Sequence, residues 1–352
     1  MADRSHATGA SPRMMKFAPI ELERCARDLL AAVGVDAGDA SWTAELLLRS
    51  DLAGHPSHGL VRLVDYVEAI EAGAVNASGR PHLERDDGST AVVHGDRALG
   101  QVAARFATDE AVRRARAHGI ACVALRHSAH AGRLADYASR VADAGQIGLI
   151  VANDAGTGQS VAPPGALEGR LSTNPLAFGF PRQAPPHFVV DFATSVASFG
   201  KIRIAQESGQ AVPTDWMRDG VLQAFGGYKG FGLALAVEAL AGVLSGAGHV
   251  TASSDVRSSA TEEPQGLAVI AIDVTRFGAP GEFSSSLELA LKHVASAPVP
   301  AGADPVAIPG ERGAAAAALH RAEGVSLTGP TVTRLVAACQ RLGVASVKAG
   351  PV

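Results

Sequence analysis

The sequence predicts an α/β protein in which helices cover a sheet on both faces and a helical lobe precedes the sheet. Three amphipathic helical stretches before residue 73 predict the lobe, and short β-branched runs that alternate with helical stretches after residue 90 predict the layers. The chain has 352 residues, of which 47% are hydrophobic, so it can bury a large core. We therefore expect a large α/β domain with a smaller helical lobe.

The predicted N-terminal lobe spans residues 17–85 and follows a small, polar stretch, 1–16, that we expect to be a disordered tail. Its helices cover 19–33, 40–53 and 58–72, and each stops at a glycine, a residue that readily adopts the left-handed conformation found at helix ends. Turn residues and scattered charge between 73 and 88 indicate an extended connection to the next domain.

The predicted α/β domain spans residues 86–300. Apolar runs predict strands at 91–94, 120–125, 147–152, 188–191 and 267–272, and periodic stretches predict helices at 101–118, 134–144 and 230–244. A polar stretch at 251–265 and a stretch rich in Pro, Ala and Gly at 298–309 predict loops. The segment 301–352 carries two last helices, 311–322 and 331–341, which are expected to pack on the N-terminal lobe.

Composition argues against several classes of protein. A net charge of −4 without basic runs argues against nucleic acid as a partner. The longest apolar run, 231–244, contains Glu238 and is shorter than the roughly 20 residues of a membrane span, so no membrane segment is expected. Cys25, Cys122 and Cys339 are odd in number and far apart, which favours buried reduced thiols and a cytoplasmic location over a disulfide framework.

One stretch pairs an acid-base group with an anion receptor. Ser57 is a good N-cap, so His58 and Arg62 would stand at i and i+4 on one face of the predicted helix. The unpaired N–H groups of a first helical turn favour anions, so this turn can hold a carboxylate beside a proton donor. An ordinary solvated helix start would carry the same residues, and the stretch alone does not distinguish the two.

Four further segments offer polar groups for a ligand. His130 stands in a loop between a strand and a helix, where helix N–H groups suit phosphate, although no Gly-x-Gly-x-x-Gly fingerprint occurs. Ser172-Thr173-Asn174-Pro175 presents consecutive polar side chains in a turn. Asp191 leaves a buried strand and needs a partner such as an imidazole. Lys229 stands in a glycine-rich turn that opens a helix, although the turn is not a full P-loop.

Two His-x-x-His pairs, His55 with His58 and His127 with His130, raise the question of a metal ion. Zinc sites usually take a third ligand at a suitable spacing, and no His-Glu-x-x-His pattern occurs. We therefore expect no metal, and a metal-dependent hydrolase is the weakest of the functional hypotheses.

Taken together and in this order, five motifs resemble those of the malate/L-lactate dehydrogenase family of non-Rossmann type. They are Ser57-His58-Gly59 with Arg62, His130 before a helix, Thr173-Asn174-Pro175-Leu176-Ala177-Phe178, Asp191-Phe192-Ala193 and Gly227-Tyr228-Lys229-Gly230. The resemblance covers residues 18–328. The same family holds ureidoglycolate and sulfolactate dehydrogenases, 2,3-diketogulonate reductase and reductases of the cyclic imine piperideine-2-carboxylate.

The resemblance implies a homodimeric oxidoreductase that uses NAD or NADP, acts on a small carboxylic acid and has a mixed sheet in a non-Rossmann cofactor domain. By position, His58 is similar to the proton donor, and Ser57 and Asp191 are similar to the groups that orient it. Arg62, with Thr173 beside it, is similar to the clamp for the substrate carboxylate. In some members the residue matching His130 is the proposed acid-base group, so this assignment stays open. The implied cofactor contacts are His130, Ala131, Gly132, Arg133, Leu134, Thr173, Asn174, Pro175, Asp191, Phe192, Ala193, Lys229, Gly281, Glu282, Phe283 and Ser284.

These implied roles are chemically consistent. Negative charge builds on the substrate oxygen as hydride reaches the adjacent carbon, and a nearby imidazolium stabilises that charge and gives the proton. A bidentate Arg-carboxylate pair fixes the reacting carbon in place. Because a first helical turn disfavours an imidazolium, we expect Asp191 or the bound anion to raise the pKa of His58.

Two positions depart from the family pattern. Family members usually carry roughly a dozen more residues where Asp219-Gly220 here passes almost directly to Phe225, which is a long loop by ordinary standards, and such loops often border active sites. Asp154 stands where a small polar residue is common near the cofactor. The prediction is a 2-oxo acid reductase or 2-hydroxy acid dehydrogenase. A cyclic imine reductase and a non-catalytic, metabolite-binding family member are the alternatives, and the sequence does not separate NAD from NADP.

Overall fold

The computed structural model describes residues 14–154, 159–207, 209–248 and 265–348. Its α-helices are α1 (Pro19–Ala32), α2 (Ala37–Leu52), α3 (Leu63–Glu71), α4 (Gly100–His118), α5 (Ala135–Asp143), α6 (Phe199–Glu207), α7 (Tyr228–Val237), α8 (Glu282–Ala295), α9 (Glu311–Glu323) and α10 (Gly329–Leu342). Its strands are β1 (Met15–Phe17), β2 (His82–Asp87), β3 (Thr90–His94), β4 (Ile120–Ser128), β5 (Gln146–Asp154), β6 (Val161–Ala162), β7 (Leu176–Phe180), β8 (Phe188–Phe192), β9 (Met217–Arg218), β10 (Val221–Gln223), β11 (Gln265–Asp273) and β12 (Val325–Leu327).

The helical lobe is built from both ends of the chain, as predicted. β1 pairs antiparallel with β12, with Met15 opposite Leu327. This strand begins inside the stretch expected to be a tail, and residues 1–13 lie outside the described part of the chain. Leu22 of α1 and Leu335 of α10 share one buried apolar core with α2 and α3. Burying a side chain of this size stabilises a fold by roughly 1.5–3 kcal/mol, so this core ties the first and last helices together.

The central sheet has seven strands in the order β2-β3-β4-β11-β5-β7-β8. β3 and β4 run parallel, and the other neighbouring pairs are antiparallel, so the sheet is mixed, as predicted. The sequence missed β2, which lies in the stretch predicted as an extended connection, and β7, which directly follows Pro175. β2 is mostly exposed at the edge of the sheet, so it lacks the buried apolar pattern by which the other strands were found.

Helices cover both faces of this sheet, which gives the predicted three layers. Side chains alternate along β5, as strand geometry requires. Ile150 belongs to the buried cluster that includes Tyr137 of α5 and the alanines of α4, whereas Val151 belongs to the cluster of Val237 and Ala241 on the opposite face. The cavity described below lies where the helical lobe meets the ends of these strands.

The helix predicted at 230–244 is α7 followed by a π-helical segment, Glu238–Leu244. Glu238, where the change begins, is only 6% exposed. Asn174 donates to its Oε2 at 3.0 Å, and Asn153 donates to its Oε1 at 3.4 Å. A buried carboxylate needs such partners, and π turns in helices occur frequently at functional sites.

The shortened stretch after Trp216 is a tight hairpin. β9 and β10 pair antiparallel, and β10 runs parallel to β6 in a small three-stranded sheet. Asp219 and Gly220 between the strands have φ of 51° and 81°, the positive values that a two-residue type I′ turn requires. The predicted loop 251–265 lies outside the described residues, except for Gln265. Within the described ranges, no helix is both long and apolar enough to cross a membrane.

Candidate active site

The stretch that holds His58 and Arg62 forms two 3₁₀ turns, Pro56–His58 and Leu60–Arg62, and not the start of an α-helix. We call residues 56–62 the double turn. Gly59 separates its halves with φ −92° and ψ −149°, and α3 begins only at Leu63. The predicted helix 58–72 therefore starts too early, because the chain at Gly59 leaves the helical conformation. His58 therefore does not stand in the first turn of an α-helix, and the expected effect of a helix dipole on its ring is absent.

Ser57 contacts the His58 ring instead of capping a helix. Its Oγ lies 3.0 Å from His58 Nδ1, so proton exchange with a substrate would use Nε2. Ser57 is buried against Gly200 of α6, where a Cβ would lie 2.5 Å from the Ser57 Cβ. A glycine at position 200 thus lets α6 approach the double turn and fix the serine.

The surroundings of His58 favour a neutral imidazole. Burial lowers its pKa to about 3, and the positive charge of Arg62 is the next largest cause. Asp191, which was expected to raise the pKa of His58, is not among the groups that shift it. Its carboxylate instead accepts the Ala135 N–H at 2.8 Å, so of the two groups expected to raise the pKa of His58, Asp191 does not do so and the bound anion stays a prediction.

Arg62 is held by the backbone and by one carboxylate. Its Nε donates to the Ser57 carbonyl oxygen at 3.1 Å, and its Nη1 lies 3.6 Å from Asp65 Oδ2. Asp65 also pairs with Arg203 at 3.5 Å and with Arg334 at 2.8 Å, so one carboxylate serves three guanidinium groups. The Arg62–Asp65 distance is longer than a normal hydrogen bond, which leaves Arg62 able to pair with a second carboxylate.

His130 lies beside His58, with ring centroids 5.9 Å apart and the rings stacked. Its Nδ1 lies 2.7 Å from the Tyr66 hydroxyl, to which the Gln101 amide donates at 2.9 Å. With the amide in this orientation, the hydroxyl donates to Nδ1, so Nε2 carries the proton of the neutral ring. Burial lowers the pKa of His130 well below its usual value. His130 is therefore set up as a hydrogen-bond donor through Nε2.

Sequence analysis missed Tyr66 and Gln101. Tyr66 follows Arg62 by four residues, a spacing that signals a shared helix face, and it lines the cavity. Nothing in the sequence around Gln101 marks it, since it lies in the buried face of α4 among alanines.

These groups open into one cavity of about 1110 Å³ between the helical lobe and the ends of the strands. The predicted site residues that line it are His58, Arg62, His130, Ala131, Gly132, Leu134, Thr173 and Pro175. Asp154 also lines it, and so does the hairpin, through Met217, Gly220, Val221 and Leu222. The structure thus brings residues of distant sequence motifs together around one cavity.

Besides Ser57, three predicted site residues that have protein partners do not line the cavity. Asn174 is fully buried and donates to the Ala234 carbonyl oxygen at 2.9 Å. Arg133 pairs with Asp136 at 3.0 Å. Asp191 accepts a hydrogen bond from the Ala135 N–H, the first of α5, so this helix N–H, which was expected to be open to phosphate, already has a partner. The partner of Asp191 is thus a backbone amide and not the predicted imidazole. Burial raises the pKa of Asp191 to about 6.

The remaining predicted cofactor contacts lie outside this cavity. We call them the outer surface, which consists of Phe192, Ala193, Lys229, Gly281, Glu282, Phe283 and Ser284. Phe192 is 36% exposed and meets Phe225 edge-on, with ring centroids 5.4 Å apart. Lys229 is exposed at the start of α7. Their role stays a prediction. In the described part of the chain, no group of three His, Cys, Asp or Glu side chains could hold a metal ion.

Known proteins similar to this chain are dehydrogenases and a reductase. The profile of the malate/L-lactate dehydrogenase family matches residues 17–336. The chain is 35% identical over 319 residues to an L-lactate dehydrogenase of Cupriavidus necator, covering 86% of this chain and 90% of that protein. It is 30% identical over 345 residues to an L-sulfolactate dehydrogenase of Methanothermobacter thermautotrophicus, covering 94% and 98%. The solved structure of a Δ1-piperideine-2-carboxylate reductase from Pseudomonas syringae pathovar tomato superposes with a TM-score of 0.78 at 26% identity, covering 92% and 99%.

Proposed function

This chain belongs to the malate/L-lactate dehydrogenase family, and on that premise we propose that it interconverts a 2-oxo acid and a 2-hydroxy acid, with NAD or NADP as cofactor and His58 as proton donor. The relatives named above support an oxidoreductase. The observation that carries the finer proposal is the cavity, in which His58, Arg62 and His130 meet. An acid-base group, a carboxylate receptor and a hydrogen-bond donor are what this reaction requires of the protein.

The cavity is suited to a nicotinamide cofactor together with a small acid. Its volume of about 1110 Å³ is slightly larger than the roughly 300–1,000 Å³ typical of small-molecule sites. Gly132 has φ of 81° and lines the cavity with its backbone. His130 to Gly132, Leu134, Thr173 and Pro175 would hold the cofactor here, and the bound cofactor would supply or accept the hydride.

Arg62 would bind the substrate carboxylate. Its Asp65 contact is long and shared, so the substrate can take over one side of the guanidinium. A carboxylate held there also offsets the positive charge that helps to keep the pKa of His58 low. Binding thereby prepares His58 to carry the proton that it gives to the substrate oxygen.

The two histidines have different parts in this proposal. In the oxidation direction, neutral His58 takes the hydroxyl proton through Nε2, and in the reduction direction it returns that proton. His130, whose Nδ1 accepts from Tyr66, donates its Nε2 proton as a hydrogen bond and stabilises charge that develops on the oxygen. This division favours His58 over His130 as the acid-base group.

A cyclic imine carboxylate is the second candidate substrate. The same clamp and donor would serve it, with nitrogen taking the proton in place of oxygen. The similarity to a piperideine-2-carboxylate reductase structure supports this alternative. A non-catalytic, metabolite-binding protein remains the third hypothesis.

We also propose that the protein is a homodimer. The helical segment formed by α7 and its π-helical continuation exposes Leu233, Leu235, Val243 and Leu244 by 39% to 61%. Large apolar side chains grouped on one element are typical of interaction surfaces. Light scattering after size exclusion measures the mass directly, and a monomer at micromolar concentration would contradict the proposal. A cytoplasmic location stays a prediction.

Cofactor titration followed by turnover tests the proposed function. NADH and NADPH are added to the purified protein while nicotinamide fluorescence is followed, and absorbance is then recorded with pyruvate, oxaloacetate and piperideine-2-carboxylate. We expect cofactor binding and oxidation of the reduced cofactor by a 2-oxo acid. Turnover of the imine alone would select the second candidate, and binding without any turnover would select the third. No binding of either cofactor would refute the dehydrogenase proposal.

A further inference from the structure

Asp51 is a buried carboxyl group directly beneath the double turn. It lies in the last turn of α2 and is only 4% exposed. Its Oδ2 accepts the Leu60 N–H at 2.7 Å. Leu60 is the first residue of the second 3₁₀ turn, so a side chain from an earlier helix caps this turn.

The cap comes from a distant residue because Gly59 cannot provide one. Gly59 stands at the N-cap position, where Ser, Thr, Asp or Asn usually bonds the first free N–H groups. A Cβ at position 59 would overlap all three atoms of the Asp51 carboxyl group. The missing side chain of Gly59 therefore makes room for the carboxyl that replaces it, and the two residues form a matched pair.

The capped backbone carries both groups proposed to act on the substrate. The second turn ends at Arg62, whose Nε donates to the Ser57 carbonyl oxygen at 3.1 Å. Ser57 in turn contacts His58 Nδ1 at 3.0 Å. A displacement at Leu60 is thus passed through Arg62 and Ser57 to the His58 ring. Catalysis is sensitive to such displacements, because misplacement by about 1 Å can cost roughly 10²-fold in rate.

We propose that Asp51 is a positioning residue that orients both His58 and Arg62 through its hydrogen bond to the Leu60 N–H. Asp51 does not line the cavity, so it acts through the double turn and not by touching substrate or cofactor. The inference rests on the proposed function, because it takes the roles of His58 and Arg62 from it.

Burial raises the pKa of Asp51 to about 7, so the folded protein bears the cost of a desolvated carboxyl at this position. Asparagine would keep an oxygen in nearly the same place without a charge. Comparison of Asp51→Ala with Asp51→Asn therefore separates loss of the hydrogen bond to the Leu60 N–H from loss of the negative charge.

Three variants test the inference, with Asp273→Ala as the matched control. Asp273 is also buried, and its Oδ1 accepts the Thr275 N–H at 3.0 Å in a 3₁₀ turn, Val274–Arg276, away from the cavity. For Asp51→Ala we expect kcat to fall and KM for the 2-oxo acid to rise, with kcat/KM lower by about tenfold or more and cofactor affinity unchanged. Asp51→Asn should retain most of the activity. Asp273→Ala should lower only the melting temperature.

The inference would be overturned if the folded Asp51→Ala protein had wild-type kcat and KM. It would also be overturned if Asp273→Ala lost as much kcat/KM as Asp51→Ala. If Asp51→Ala does not fold, Gly59→Ala applies the same displacement from the other side and should give the same split between kcat and KM. Absence of turnover in the wild-type protein would count against the proposed function instead. Hydrogen exchange of the backbone amides in residues 55–63 then still tests whether Asp51 caps the second turn. The exchange rate should rise in Asp51→Ala and not in Asp51→Asn, and unchanged rates in both variants would refute the cap.

Discussion

The double turn and the outer surface differ in how firmly the structure holds them. In the double turn, Ser57 is buried and His58 nearly so, and Asp51 bonds Leu60 from below. Lys229 and Gly281 on the outer surface are exposed and lie outside the cavity. Sequence motifs indicate residues of both regions, Ser57-His58-Gly59 with Arg62 in the double turn and Gly227-Tyr228-Lys229-Gly230 on the outer surface. The difference shows that a motif identifies residue types, whereas packing decides which of them are fixed in position before a ligand arrives.

Substitution of His58 should produce the largest effect and thereby tests the double-turn side of the comparison. His58→Ala should lower kcat by roughly 10²–10⁴, the usual contribution of a general acid-base group, and leave cofactor affinity unchanged. Steady-state kinetics and a fluorescence titration measure the two quantities. His130→Gln, which keeps a donor, should lose much less; a larger loss in His130→Gln than in His58→Ala would reverse the assignment.

Asp51→Asn tests the cost of burial under the double turn. Folding raises the pKa of Asp51 from its usual 3.8 to about 7. The buried carboxyl therefore does not lower the free energy of unfolding below about pH 4, where it is protonated in both states, and lowers it fully above about pH 7, where it is ionised in both states. At about 1.4 kcal/mol per pKa unit this cost is on the order of 4 kcal/mol. The variant should therefore gain stability over the wild type as pH rises from 5 to 8. Denaturant unfolding at both pH values measures the difference, and a pH-independent difference would contradict this account.

Arg62→Lys should have an intermediate effect. A lysine keeps the charge but loses the fork that bonds a carboxylate at two points, so KM for the 2-oxo acid should rise about 10–100-fold, which corresponds to one or two lost charge-assisted hydrogen bonds. The value of kcat should change much less. Arg334→Lys is the matched control, because Arg334 also pairs with Asp65 but does not line the cavity. Equal changes in the two variants would show that the effect comes from the Asp65 network.

Lys229→Ala should have the smallest effect and tests the outer-surface side. An exposed cation contributes at most about 1 kcal/mol to a contact, so KM for the cofactor should rise by less than about tenfold, with kcat and KM for the acid unchanged. A titration with NADH and NADPH measures the change. An unaltered affinity would remove Lys229 from the cofactor contacts, and a loss of kcat as large as that of His58→Ala would erase the contrast between the two regions.

Sequence reasoning predicted the fold well where burial is periodic. Strands such as β5 and helices such as α4 show their buried faces in the pattern of apolar residues. It failed at the double turn, because Ser57 followed by apolar residues at helical spacing has the pattern of a capped helix, whereas Gly59 leaves the helical conformation and lies against the Asp51 carboxyl of α2. That contact is tertiary and leaves no local signal in the sequence.

The candidate site was predictable in its residue types and only partly in its contacts. His58, Arg62 and His130 meet in the cavity, as the order of the motifs suggested. Asp191, for which the sequence predicts a partner such as an imidazole, accepts the Ala135 N–H, since the chain brings β8 beside the start of α5. Tyr66 and Gln101 were missed because their hydrogen bonds to each other and to His130 join helices from different parts of the chain.

The central claim is that the double turn presents the carboxylate receptor and the proton donor to one substrate. A crystal structure with NADH or NADPH and oxamate, a stable analogue of a 2-oxo acid, tests it most directly. The account predicts the oxamate carboxylate on Arg62 and the oxygen that matches the 2-oxo group within hydrogen-bonding distance of His58 Nε2. Oxamate bound away from Arg62, or with that oxygen on His130 alone, would contradict it.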